Sequence, residues 1–193
     1  MESEELYFRR LDTLTVRENF LEKESLDATA HHLEVRTGFF DKLALLAAGS
    51  LAVGISFMTA GYQRAPLQKE IQHYLWYLTI ALGFILVSLL LCVIHNAMTS
   101  VAVTQFSGQL ESLSQGAHAA KTLFETPVGA STTLTDWLNQ AIQSHWEESE
   151  LLKKRRAKLI VTTVKTGWYA VGFFIGGYVL GLGTVVLIIA TTK

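Results

Sequence analysis

Apolar residues of this chain are concentrated in three blocks that contain no acidic or basic side chain, and most charged residues lie between the blocks. The blocks cover residues 43–61, 74–94 and 167–190. A helix of about 20 apolar residues is long enough to cross the hydrocarbon core of a bilayer. The pattern therefore predicts an all-α membrane protein with three transmembrane helices.

The segments outside the blocks predict further helices that lie outside the membrane. Residues 3–36 contain no glycine or proline and mix charged residues with spaced leucines, which is typical of an amphipathic helix. Pro127 and Gly129 follow the second block and predict a turn between two helices. We predict three transmembrane helices: helix 1 at 39–62, helix 2 at 74–96, and helix 3 with a short external C-terminus at 159–193. A short external loop at 63–73 joins helices 1 and 2. The cytoplasmic parts are an amphipathic helical segment at 1–38 and a helical hairpin at 97–158 with its turn near 126–135. The hairpin extends helices 2 and 3.

Small residues recur at helical spacing in the first and third blocks, and the third block alone holds six of the 14 glycines. Residues three or four apart share one face of a helix, and small residues at that spacing let membrane helices pack closely. The predicted packing positions are Gly49, Ala52, Ser56, Gly172, Gly176, Gly177 and Gly181. One interpretation is packing among the three helices of one chain. The other is a contact between copies of the chain or, for the first helix, the lining of a pore.

Lysine and arginine are distributed unequally around the predicted spans, which predicts the orientation of the chain. Five of the six residues at 153–158 are basic, whereas the opposite side holds only Arg64, Lys69 and the terminal Lys193. Cytoplasmic loops carry the excess of basic residues, so we expect the N-terminus and the hairpin in the cytoplasm and the C-terminus outside. Short loops, no N-glycosylation sequon and no visible signal peptide favour the bacterial inner membrane.

The basic run has two interpretations of its own. It consists of Lys153, Lys154, Arg155, Arg156 and Lys158. One interpretation is a stop on translocation, and the other is recognition of an anionic lipid or a nucleotide messenger. Glu150 lies four residues before Lys154 and predicts an ion pair along the helix, which favours the first interpretation.

Sequence motifs for catalysis and for cofactor binding are not found. The chain has no nucleophile elbow, phosphate-binding loop, zinc-protease motif or second cysteine, and its net charge of −1 gives no basic excess for nucleic acid. Transporters place ionisable residues at membrane depth, and the three blocks contain no Asp, Glu, Lys, Arg or His. The sequence therefore predicts no cofactor and leans against an enzyme or a carrier.

One set of four residues could hold a metal if two helices brought it together. His31 and Glu34 are three residues apart, as are His145 and Glu148, so each pair shares a helix face. At about 1.5 Å per residue both pairs lie at a similar distance from the predicted membrane boundary. Carboxylate metal sites in helical bundles need further ligands, so this set is incomplete.

Three hypotheses for function follow from these patterns. The first is a homo-oligomeric, non-enzymatic membrane protein that forms a pore or perturbs the bilayer. The second is a structural or signalling adaptor whose cytoplasmic helices bind a partner protein. The third and weakest is a metal-dependent membrane enzyme. The expected partners are the lipid bilayer, other copies of the chain and a cytoplasmic protein, with no role for nucleic acid.

Overall fold

The computed structural model describes residues 37–126 and 132–191, together with residues 9, 12, 13, 16, 17, 20, 21, 23, 24 and 27, which are all helical. Three long helices form the described chain: α1 at Thr37–Tyr62, α2 at Ala65–Glu125 and α3 at Thr132–Thr191. The described residues contain no β-strand. The prediction of an all-α chain is confirmed.

Each of the three helices contains a stretch that is long and apolar enough to span a membrane. Each helix contains one of the three charge-free blocks. A helix is the conformation in which a lipid-exposed segment satisfies all its backbone hydrogen bonds. The described helices are consistent with a small integral membrane protein. The side of the membrane on which each polar segment lies stays a prediction.

The connection between α1 and α2 is shorter than the predicted loop at 63–73. Only Gln63 and Arg64 separate the two helices, and the Gln68 N–H already donates to the Arg64 carbonyl at 2.9 Å. Pro66 lies in the first turn of α2, where backbone N–H groups have no partner within the helix, so proline is tolerated there. The proline therefore marks the start of a helix and not the middle of a loop.

The described chain divides into two compact units, and α2 and α3 contribute to both. The apolar unit comprises residues 35–99 and 161–193, and the polar unit comprises residues 1–34 and 100–160. Two buried clusters hold the apolar unit together, and each draws residues from α2 and α3. The first contains Leu43, Cys92 and Ala170, and the second contains Ile71, Leu78 and Ile188.

The helices of the apolar unit approach each other most closely at glycines. A Cβ on Gly177 would lie 2.8 Å from the backbone oxygen of Ala81 and 2.8 Å from the Ile85 side chain. On α1, a Cβ on Gly54 would lie 2.6 Å from a methyl group of Leu82. The backbone of α2 cannot yield as easily as a methyl group, so Gly177 is the position where a side chain is least compatible with the packing of α3 on α2.

Substitution of Gly177 by alanine is expected to destabilise the helix bundle by about 1–3 kcal/mol, the usual cost of overpacking. The matched control is Gly183→Ala on the same helix, where an added Cβ would meet no atom within 4 Å among the described residues. Reversible unfolding in mixed detergent micelles measures both variants. Equal stability of the two variants would contradict the close approach at Gly177.

Candidate functional site

The small-residue stripe of α1 lies on the surface of the apolar unit. Gly49, Ala52 and Ser56 are all exposed, and a Cβ on Gly49 would meet nothing within 4 Å among the described residues. The opposite face of α1 carries the buried contacts, through Ala47 and Gly61 among others. Within the described chain, α2 and α3 therefore leave the stripe uncovered.

The glycines predicted on α3 divide into two groups. Gly176, Gly177 and Gly181 face α2, with the Cβ positions of Gly176 and Gly181 each 3.6 Å from a side-chain carbon of that helix. Gly172 is exposed, and its Cβ position has no neighbour within 4 Å in the described part of the chain. Three of the four glycines thus serve packing inside the chain, and the fourth is open to the surroundings.

The N-terminal end of α1 meets the middle of α2 and of α3. The polar and aromatic residues at this place form what we call the three-helix junction: Phe40, Asp41, His95, Asn96, Thr163 and Gly167. The His95 ring is buried, and its Nδ1 donates to the Thr163 carbonyl at 2.9 Å. Asn96 Nδ2 donates to Asp41 Oδ1 at 2.6 Å, which links α2 to α1. Both hydrogen bonds join different helices, so the junction fixes the position of all three.

Gly167 makes the junction possible, although its spacing matches none of the predicted pairs. A Cβ at this position would lie 2.7 Å from the Phe40 ring and 3.0 Å from His95 Nδ1. The Phe40 and His95 rings lie against each other with centroids 3.7 Å apart. The missing side chain of Gly167 therefore leaves room for two rings from the two other helices.

A further hydrogen bond between α2 and α3 lies deeper in the apolar unit. The buried Ser88 hydroxyl donates to the Ala170 carbonyl at 2.7 Å. By contrast, the hydroxyls of Thr59, Thr79 and Thr184 donate to carbonyls of their own helices at 2.7–2.9 Å. Ser88 is therefore a polar link between helices in the middle of an apolar stretch.

Exposed aromatic residues mark both ends of the apolar unit. At one end, Trp76 and Tyr77 lie on α2 near the connection to α1, and Trp76 is 71% exposed. At the other end, Trp168 and Tyr169 lie on α3 beside Gly167, and Trp168 is 74% exposed. Trp76 precedes the junction residue His95 by 19 positions, which corresponds to roughly 28 Å along a helix. Exposed Trp and Tyr rings favour the membrane–water interface, and the distance between Trp76 and the three-helix junction matches a bilayer core of about 30 Å.

The predicted metal ligands are only partly within the described residues. His31 and Glu34 lie outside them. His145 Nδ1 and Glu148 Oε2 are 4.0 Å apart, and the Ser112 hydroxyl lies 3.1 Å from Glu148 Oε2 and 3.0 Å from the His145 carbonyl. Among the described residues, no group of three or more His, Cys, Asp or Glu is placed to hold a metal ion.

The contacts of Ser112 link α2 to α3 inside the polar unit and do not form a nucleophile. A serine nucleophile needs a base that accepts its proton, usually a histidine ring nitrogen. His145 presents its backbone carbonyl to Ser112, and its ring nitrogen Nδ1 faces Glu148. The described geometry is therefore that of a helix–helix contact.

The basic run at 153–158 is exposed except at Arg156, which is half-buried with its guanidinium 4.3 Å from the centre of the Phe106 ring. Lys153 pairs with Glu150 at 3.1 Å. The sequence predicted Lys154 as the partner of Glu150, and this detail is wrong because the i,i+3 geometry brings Lys153 closer. Lys154, Arg155 and Lys158 are exposed around the same helix.

Comparison with protein-family models, with curated proteins and with solved structures finds no match to this chain.

Replacement of Ser88 by alanine is expected to weaken the bundle by about 0.6 kcal/mol, the average measured for hydrogen bonds between membrane helices, and by about 1.7 kcal/mol at most. The control is Thr79→Val, which removes a hydroxyl that bonds its own helix and should leave the unfolding free energy almost unchanged. Unfolding in mixed micelles gives both values. A larger loss in the Thr79 variant would argue against the link from Ser88 to α3.

Proposed function

We propose that this protein is a non-enzymatic membrane protein whose copies assemble along the exposed stripe of α1, forming a pore or a membrane-perturbing assembly. The observation that carries the proposal is the exposure of Gly49, Ala52 and Ser56 on a helix whose other face is packed. Small residues in lipid-facing positions offer little contact to acyl chains but allow another helix to approach closely.

The arrangement of α3 supports α1 as the contact between copies. Three of the four predicted glycines of α3 face α2 within the chain. The stripe of α1 has no such cover among the described residues. Homo-oligomers are usually closed and symmetric, so the stripe of each copy would contact a neighbouring copy around a central axis.

The chemistry of the stripe is also suited to a membrane pore. The stripe carries the hydroxyl of Ser56, and Thr59 extends it with a second hydroxyl. Both residues are exposed. Thr59 donates to the Ile55 carbonyl at 2.9 Å, so this hydroxyl can lie in an apolar surrounding and still accept a hydrogen bond from water. Assembly through the Gly49 and Ala52 side of α1 would bring these hydroxyls to the edge of a central path.

A leucine at position 49 is expected to dissociate the assembly and to abolish leakage. Gly49→Leu adds bulk at a position with no neighbour within 4 Å among the described residues, so it should block a second copy without disturbing the fold. The control is Gly183→Leu, which adds the same bulk at an open glycine of α3 outside the stripe. Native mass spectrometry counts the copies, and dye release from liposomes reports leakage.

The expected result is a discrete oligomer with leakage for the native protein and for Gly183→Leu, and a monomer without leakage for Gly49→Leu. An oligomer that persists in Gly49→Leu would show that the copies meet elsewhere. A monomeric native protein that releases no dye would reject the pore and favour the adaptor.

The adaptor is the second candidate, and the surface of the polar unit favours it. Trp137 is 62% exposed, and Leu134 and Leu151 on the same helix are also exposed. These side chains lie outside the predicted spans, so lipid does not account for their exposure, and exposed aromatic residues are enriched in binding surfaces for proteins. Co-purification of a protein that is lost in Trp137→Ala would support this candidate.

We further infer that the basic run at 153–158 lies in the cytoplasm and that Gln68 lies outside, with the bacterial inner membrane as the location. The inference rests on the positive-inside rule. In a Cys92→Ala background, a membrane-impermeant maleimide should label Gln68→Cys in intact spheroplasts and should label Lys154→Cys only after lysis. Both positions are exposed, so a reversed labelling pattern would reverse the orientation.

A further inference from the structure

An open groove on the surface of the apolar unit passes over Gly172. It is lined by Phe84 of α2 and by Trp168, Tyr169, Gly172 and Phe173 of α3. The Phe84 and Phe173 rings contact each other edge to face, with centroids 5.5 Å apart. A Cβ on Gly172 would meet no described atom within 4 Å. The groove therefore has a backbone floor and aromatic walls.

The position of the groove along α3 indicates what kind of molecule reaches it. Trp168 and Tyr169 belong to the exposed aromatic residues that mark the interface, and Gly172 and Phe173 lie one turn further into the span. An occupant would therefore have its polar end near Trp168 and its apolar end beside Gly172. This is the arrangement of a lipid with its headgroup at the interface.

A basic residue lies on the same helical face at the interfacial end of the groove. Lys165 is exposed, and it precedes Trp168, Tyr169 and Gly172 by three, four and seven residues, which is the spacing of one face. Side chains on a helix lean towards its N-terminus, so the Lys165 ammonium extends away from the span towards the headgroup layer. A positive charge at this place complements a phosphate group.

We propose that the groove binds one anionic glycerophospholipid. An acyl chain lies over Gly172 against Phe84 and Phe173, and the phosphate lies at the Lys165 ammonium. The proposal requires that α3 spans the membrane, and it is independent of whether copies of the chain assemble through α1.

The test is competitive lipid retention by the detergent-purified full chain. The delipidated protein is mixed with equal amounts of phosphatidylglycerol and phosphatidylcholine, and native mass spectrometry counts the bound lipids of each kind. Gly172→Leu fills the floor of the groove, and Gly183→Leu is its control because both glycines have open Cβ positions. Lys165→Gln removes the charge, and Lys23→Gln removes an exposed lysine outside both the groove and the basic run. Lys165→Arg keeps the charge.

We expect the native chain to retain phosphatidylglycerol in preference to phosphatidylcholine. Lys165→Gln should lower that preference about fivefold, the factor expected for one basic residue at a lipid headgroup. Gly172→Leu should reduce retention of both lipids, and Gly183→Leu, Lys23→Gln and Lys165→Arg should behave as the native chain does. The same spectra report the number of copies, so a loss of lipid at unchanged copy number is separated from a loss of assembly.

Two outcomes would overturn the proposal. Equal retention of the two lipids by the native chain would show that the charge of the headgroup is not recognised. Equal losses in Gly172→Leu and Gly183→Leu would show that lipid covers α3 without a preferred groove.

Discussion

Close approach of helix backbones is the constraint on which the apolar unit depends. Lipid tails are as apolar as leucine, so helices in a bilayer gain little from burying apolar side chains against each other. Contact must then come from dispersion at short range and from hydrogen bonds between helices. Gly177 supplies the first, because its missing side chain lets α3 approach the Ala81 carbonyl, and Ser88 supplies the second through its bond to the Ala170 carbonyl.

The same constraint explains why α1 has two different small-residue faces. Ala47, Gly54 and Gly61 recur every seven residues, and the structure places them against the rest of the unit. Gly49, Ala52 and Ser56 recur at three and four residues and are exposed. The first face holds the chain together. The second is left available for an additional helix, and this availability connects the fold to the proposed assembly.

Absence of charge over a long block was sufficient to predict the three spanning helices, because few alternatives to a helix exist in lipid. The sequence alone could not predict which face of α1 packs within the chain, since both faces consist of small residues at helical spacing. The seven-residue recurrence of Ala47, Gly54 and Gly61 does not distinguish the packed face, because Gly49 and Ser56 on the exposed face are also seven residues apart. The junction depends on three helices meeting, so Gly167 gave no local signal of its role beside Phe40 and His95.

The distribution of polar groups in the apolar unit also limits what a pore could do. The Asp41 carboxylate accepts a hydrogen bond from Asn96 of α2, and the Glu70 carboxylate accepts one from the Thr191 hydroxyl of α3. Both carboxylates lie near the ends of the apolar unit. Between these ends, the exposed polar groups on the stripe of α1 are the hydroxyls of Ser56 and Thr59. Hydroxyls both donate and accept hydrogen bonds, but they provide no fixed charge. Ion selectivity by charge requires rings of acidic or basic side chains or of oriented carbonyls. A pore with these hydroxyls at its edge would therefore select permeating molecules by size and hydration and not by the sign of their charge.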